Sequence, residues 1–275
     1  PIILGFGFVI AKPAMQYFPP YLLMGMRFTI PALLLVWWFP LPKGLYLDLF
    51  KVSFIGNTLQ YGLTYTGLNI IDASSAVLLV QLEVPFGIII AFFLLKEIPT
   101  IKNIVGLVIA FIGVFILTGA PNLDGKYIGV LLVLAGAFTW SLGAVMAKPL
   151  SKKIGAYALM TWLAVFSGPM LLFISALING NPVPYFLSAN LNSWLTVLFL
   201  GFIMQPVGYA AWYYVLRKYP VNKVMPVLLL LPVTGLITSI FLLGENPPKQ
   251  VFLGGFIIIF GVALILFTKK NKKYE

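Results

Sequence analysis

Two polar stripes are the first residues in this chain with chemistry to offer. Asn57, Gln60, Tyr61 and Thr64 follow one another at spacings of three and four, with Tyr65 adjoining. Gln205, Tyr209 and Trp212 do the same, with Tyr213 beside them. Such spacing puts each set on one face of a helix. Side chains of this kind bind rather than react: an amide hydrogen-bonds an amino or carboxylate group, and an aromatic ring packs on an apolar part. Buried Asn, Gln and Tyr also hold neighbouring membrane helices together. Recurrence in both halves of the chain favours the lining of a cavity. Shifted by 148, Asn57 meets Gln205, Tyr61 meets Tyr209, Thr64 meets Trp212 and Tyr65 meets Tyr213.

Charged residues in apolar surroundings are the second candidates. Glu83 lies midway along an apolar run, where a charge costs roughly 2.5–3.5 kcal/mol or more. It is read as a proton-coupling group or a counter-charge for an amine, or else as a neutral acid bonded to a helix beside Pro85. Gln81 is two residues away and points to roughly the opposite side, so only one of the two is expected to face a cavity squarely. Arg27 has three uses open to it: pairing with Glu83, holding a carboxylate bidentately, or snorkelling to the interface. Lys12 and Lys148, each just before a proline, read as snorkelling helix-end residues, with a coupling role for Lys12 as the alternative. Glu97 and Glu245 precede Pro99 and Pro247 and read as turn and helix-start residues.

What is missing narrows the chemistry further. There is no Cys and no His, and only seven acids, none clustered as metal ligands are. Neither thiol nor imidazole chemistry is open to the chain. No nucleotide-binding loop of the Gly-x-x-x-x-Gly-Lys type occurs. No metal, cofactor or catalytic residue is expected.

The elements that position these residues are membrane helices. The 275 residues are 61% hydrophobic and 9% charged, with a mean hydropathy of +1.02, whereas soluble domains carry about 25% charged residues. Spans of roughly 17–25 apolar residues are needed to cross a bilayer. The chain supplies them at about 1–17, 20–40, 45–67, 73–95, 101–119, 127–149, 155–178, 191–216, 221–243 and 249–268, with Pro, Gly or Asn at most junctions. Continuous rather than alternating apolar runs favour helices over a barrel. Ten spans with both termini in the cytoplasm place most Lys and Arg on the inside, Lys126 and Lys249 being the outside exceptions. The net charge of +11 is therefore a topology signal and not a nucleic-acid surface.

The chain also repeats itself. Residues 94–113 return as 242–261: Leu94-Leu95 as Leu242-Leu243, Glu97 as Glu245, Pro99 as Pro247, Gly106 as Gly254 and Gly113 as Gly261. Upstream, Ala11-Lys12-Pro13 returns as Ala147-Lys148-Pro149. Five spans per half is an odd number, so the halves enter the membrane in opposite senses. The expected organisation is a first five-helix repeat at 1–119, a linker at 120–126, a second repeat at 127–268 and a basic cytoplasmic tail at 269–275. Comparison of the paired first helices suggests that about nine residues precede Pro1 in the full helix.

Gly5-Phe6-Gly7-Phe8, Lys12, Pro19-Pro20 and Arg27-Phe28 resemble the opening of EamA-type carriers of the drug/metabolite transporter superfamily. Ala73-Ser74, Leu82-Glu83 and Leu94-Leu95-Lys96-Glu97, followed by Gly106 and Gly113, add to the likeness, which is closest to the branch exporting amino acids and related metabolites. The resemblance implies an all-α integral membrane fold of ten helices as two inverted five-helix repeats. Where the family commonly has a Trp in the first helix, this chain has Leu4, with Trp140 at the repeat position. The family's Glu-Pro of the fourth helix is here Glu83 with Pro85 one place late, and Leu231-Pro232 in the second half.

These readings predict a multi-pass inner (plasma) membrane carrier for small polar metabolites. It is expected to export amino acids or derivatives by alternating access at a central cavity, as a monomer or homodimer, with a proton as the candidate coupling ion. Its partners are a small-molecule substrate and the lipid bilayer. The alternatives are a carrier of the same fold for nucleotide-like or drug-like cargo, a membrane enzyme acting on lipid precursors, and a non-transporting scaffold. A scaffold should have Glu83 capped by protein groups and no mid-depth pocket.

Overall fold

A computed structural model describes residues 2–95, 98–209, 211 and 230–266. Every regular element among them is helical. In apolar stretches that hold so few charges, backbone N–H and C=O groups find partners only along their own helix.

The first half comprises α1 (Ile2–Ala14), α2 (Pro20–Leu35), α3 (Tyr46–Ser53), α4 (Gln60–Ile70), α5 (Ala73–Leu79), α6 (Glu83–Leu95) and α7 (Ile101–Thr118). A π-helical turn, Phe54–Leu59, joins α3 to α4, and a 3-10 turn, Val80–Leu82, joins α5 to α6. The second half comprises α8 (Tyr127–Lys153), α9 (Ala156–Asn179), the short α10 (Val183–Ser188), α11 (Leu191–Leu198), α12 (Leu230–Leu243) and α13 (Lys249–Leu266). A π-helical segment, Phe199–Tyr209, continues α11. Shifted by 148, the first π turn falls within the second.

Seven helical runs are long and apolar enough to cross a membrane; α1 and α12 are shorter, and the Tyr46–Ile70 run is interrupted by polar residues. The surface agrees. Phe93, Phe115, Phe241 and Phe256 stand exposed on the outside of the bundle, which suits hydrocarbon and not water. Trp37 and Trp38 are exposed where α2 ends, the place aromatic side chains take at a membrane interface. This is an all-helical membrane protein. Several bounds differ from expectation: α1 ends at Ala14, α2 at Leu35 and α4 at Ile70, and α8 continues through Pro149 to Lys153. A proline near the end of a membrane helix removes one hydrogen bond without stopping the helix.

The most extensive helix pair is α7 with α13. They approach through glycine. A methyl carbon on Gly106 would lie 2.6 Å from the Gly261 carbonyl oxygen, and one on Gly254 would lie 2.7 Å from that of Gly113. Only a residue without a side chain permits so close a crossing. The shift of 148 turns one of these contacts into the other, 106 with 261 becoming 254 with 113. Reciprocity of this kind marks a two-fold relation between contacting surfaces.

Candidate functional site

A cavity of about 60 Å³ lies inside the bundle. Gln60, Tyr61, Thr64 and Tyr65 reach it from α4, Glu83 from the start of α6, and Tyr209 from the end of the second π segment. Leu4, Phe8, Val80, Trp140, Met204 and Leu231 complete the wall. Six of these residues are repeat mates. Tyr61 and Tyr209 differ by 148, as do Glu83 and Leu231, and Leu4 and Trp140 differ by the 136 of the upstream echo. The Tyr61 and Tyr209 hydroxyls meet at 2.5 Å, so a residue of one half touches its own counterpart in the other. That is possible only close to the axis relating the two halves.

The mates are chemically unequal, so the cavity is lopsided: a carboxyl faces an isobutyl group across it, and an indole faces another. Glu83 has no hydrogen bond or ion pair on its side chain among the described residues. Its backbone carbonyl accepts from Ser141 at 2.7 Å, which anchors the chain beside Pro85 and leaves the carboxyl to the cavity. A scaffold would have capped it. Gln60 donates to the Thr64 hydroxyl at 3.3 Å, while its own Oε1 is buried with no partner among the described residues. A buried acceptor left so beside a cavity gains a partner when a ligand donor reaches it.

Behind the tyrosines lies Arg27, fully buried. Nη1 donates to the Tyr65 hydroxyl at 3.3 Å, and Nη2 to the Tyr61 hydroxyl at 3.2 Å and Gln205 Oε1 at 3.1 Å. The guanidinium carbon sits 4.5 Å from the Tyr61 ring centroid and 5.5 Å from those of Phe28 and Tyr209. Arg27 therefore neither snorkels nor pairs with Glu83; roughly 10 Å along α2 from Pro20, it is too deep for the interface. Its neighbours come from both halves of the chain.

Lys12 is likewise not a cavity residue. At the α1 end of the bundle, Nζ donates to the Ile71 carbonyl and lies 3.7 Å from Glu245 Oε1 and 3.9 Å from Asp72 Oδ1. Glu245 accepts from the backbone N–H groups of Ala73 at 2.8 Å and Ser74 at 2.9 Å, capping α5 rather than its own following helix. Asn122 donates to Asp72 and, at 3.4 Å, to Ser75. This cluster ties α1, α5 and three loops together. Sequence reasoning missed it because its members lie far apart in the chain; the available signal was opposite charge in loops assigned to one membrane face.

Asn57 and Gln81 do not line the cavity. Asn57 donates to Ser167 at 3.1 Å, and Ser167 donates to the Ser53 carbonyl at 3.3 Å. The π turn at Phe54–Leu59 rotates Asn57 away from the face that α-helical spacing predicts. Gln81 is buried in the 3-10 turn and is not part of the cavity wall that Glu83 joins. Gln205 serves Arg27 rather than the wall itself. Trp212 and Tyr213 lie outside the described residues, as does Glu97. The structure thus gathers Gln60, Tyr61, Thr64, Tyr65, Tyr209 and Glu83 around one space, and Trp140 joins them although its spacing carried no polar signal.

Residues 1–119 and again residues 127–267 match the EamA-like transporter family. The chain belongs to that family. It is a multi-pass membrane transporter of small molecules and not an enzyme. A "Probable amino-acid metabolite efflux pump" of Salmonella typhimurium is 28% identical over 283 residues, covering 97% of this chain and 92% of that protein. Its namesake in Escherichia coli is 26% identical over 289 residues, covering 99% and 94%. An "Uncharacterized transporter" of Clostridium kluyveri is 30% identical over 228 residues, covering 81% and 70%. A solved crystal structure, 18% identical, covers 96% of this transporter and 94% of its own chain with a TM-score of 0.67, which speaks for the fold alone.

Proposed function

We propose that this transporter is a secondary carrier exporting small polar metabolites, in the first place amino acids or their derivatives, by alternating access. The observation that carries the reading is the Tyr61–Tyr209 contact, a hydrogen bond between repeat mates in the wall of the cavity. Two halves 1–119 and 127–268, inverted in the membrane as five helices each, put a shared site at mid-depth, where rocking exposes it to one side and then the other. The reciprocal glycine contacts of α7 and α13 support that inversion. The excess of Lys and Arg in alternate loops supports cytoplasmic termini in the inner (plasma) membrane. The printed names of the Salmonella and Escherichia relatives support the cargo.

The chemistry of the wall suits such cargo. Gln60 Oε1 accepts from an ammonium group, Glu83 supplies its counter-charge or a coupling proton, and Trp140 and Phe8 take up an apolar side chain. A cavity of about 60 Å³ holds a water or two and is far below the roughly 300 Å³ at which ligand pockets begin. A site this small does not hold such cargo as it stands, and the Lys12–Glu245 cluster is read as a latch at one end. Loading requires the halves to part.

Substrate counterflow in proteoliposomes tests the reading. Tyr61→Ala should lower flux by about tenfold, since losing a buried hydrogen-bond partner costs about 1–3 kcal/mol, and Trp140→Ala should lower it through the apolar contact that the cargo loses, while both proteins still purify as folded species. Wild-type flux in both variants would remove the cavity from the transport path.

A further inference from the structure

We infer that Arg27, acting through the hydroxyls of Tyr61 and Tyr65, builds a carboxylate-binding subsite in the cavity wall, and that the cargo must carry a free carboxylate. The inference rests on the carrier reading and adds to it which group of the cargo is recognised, and where.

Arg27 is a cation buried in the middle of the bundle, yet its described hydrogen-bond partners are all neutral: tyrosine phenols, an amide oxygen and, at 3.7 Å, the Met24 sulfur. The described ion pairs belong to Lys12, and Arg27 has none. Its Nε has no partner either. A buried guanidinium with no anion beside it is costly, and an anion arriving next to it recovers that cost. Nothing in the second half duplicates the charge. Gly25 packs on Leu172 and Gly168 packs on Thr29, a pair of contacts exchanged by a shift of 143, and that shift puts Met170 opposite Arg27.

Proton direction completes the case. Arginine only donates, so each hydroxyl that accepts from it keeps its own proton for another acceptor. Tyr61 has Tyr209 as a further partner. Tyr65 lines the cavity and has no acceptor for its proton among the described residues. Arg27 therefore leaves Tyr65 a polarised donor in the cavity wall, with Tyr61 tied to Tyr209 beside it, an arrangement that favours a carboxylate over the neutral carbonyl of an amide. Arg27 is the positioning residue and Tyr65 the contact.

The test compares L-amino acids with the corresponding L-amino acid amides, which keep the ammonium and lose the anion. Affinities are read by thermal stabilisation of the purified full chain, and flux by proteoliposome counterflow. The expectation is that one or more acids bind at least about tenfold more tightly than their amides, the range of a charge-assisted hydrogen bond. Tyr65→Phe should weaken the acid by a similar factor and the amide by clearly less, since a neutral carbonyl loses a weaker hydrogen bond; it keeps the ring and so the packing. Arg27→Lys should narrow the acid-to-amide ratio in the same way. The subsite is overturned if amides bind as tightly as acids, if both variants preserve the ratio, or if none of the acids binds. Equal flux of acids and amides would leave the carrier standing and remove the subsite. Selective acid binding without flux would do the reverse.

Discussion

The Tyr61 and Tyr209 hydroxyls form one contact owned equally by both halves, and that shared ownership makes a sharp prediction. Tyr61→Phe and Tyr209→Phe each remove one end of it, so their effects on stability should not add. A double-mutant cycle by thermal unfolding should yield a coupling of about 0.5–3 kcal/mol, the range for residues in one network; additivity would mean the two rings act separately. Glu83 makes a different prediction. Its carboxyl borders the cavity and lacks a protein partner among the described residues, so a proton there is exchanged only when the cavity opens. In Glu83→Gln vesicles, flux should lose its response to an imposed pH gradient while counterflow at uniform pH persists. A gradient response equal to wild type would assign the proton elsewhere. Of the residues singled out by type and spacing, those on α4 stand where the period of an α-helix puts them, because α4 is regular. Asn57 does not, because a π turn precedes α4 and no propensity in Phe54–Leu59 announces it.

Helix ends and crossings decide how the bundle closes. Glu245 caps α5 from a loop more than 170 residues away and holds Lys12 at the same time. A carboxylate on two N-terminal amides also faces the positive end of the helix dipole. Glu245→Ala removes the cap and the cation's partner together. Caps of this kind are worth about 0.5–2 kcal/mol, enough to shift a balance between closed and open forms severalfold. The chain has no Cys, so Thr64→Cys gives a single reporter in the cavity wall. Its labelling by a membrane-impermeant maleimide added on the Lys12 side should quicken in the Glu245→Ala background, and unchanged labelling would show that the cluster is not the latch. At the α7–α13 crossing the outcome was legible in advance: glycines repeated at a fixed shift mean close packing. The Lys12–Glu245 cluster was not, since each of those two residues looked like an ordinary helix-end group.

Across the whole molecule, the proposed inversion of the two halves predicts that what closes one end has a counterpart at the other. In the sequence, Glu97 stands in the place of Glu245, and Lys148 in that of Lys12. Glu97→Ala should therefore move the Thr64→Cys labelling the opposite way, slowing it from the Lys12 side as the alternative opening gains population. A change in the same direction in both variants would separate the two ends mechanistically. The membrane class, the helical spans and the internal repeat follow from the sequence alone, because hydrophobic length and periodicity are local properties that the bilayer reads one segment at a time. The direction of Arg27 depended on tertiary structure. A guanidinium halfway along α2 snorkels, pairs or waits for a ligand according to what surrounds it. Tyr61, Tyr65 and Gln205 are brought to it only when α4 and the second π segment pack against α2.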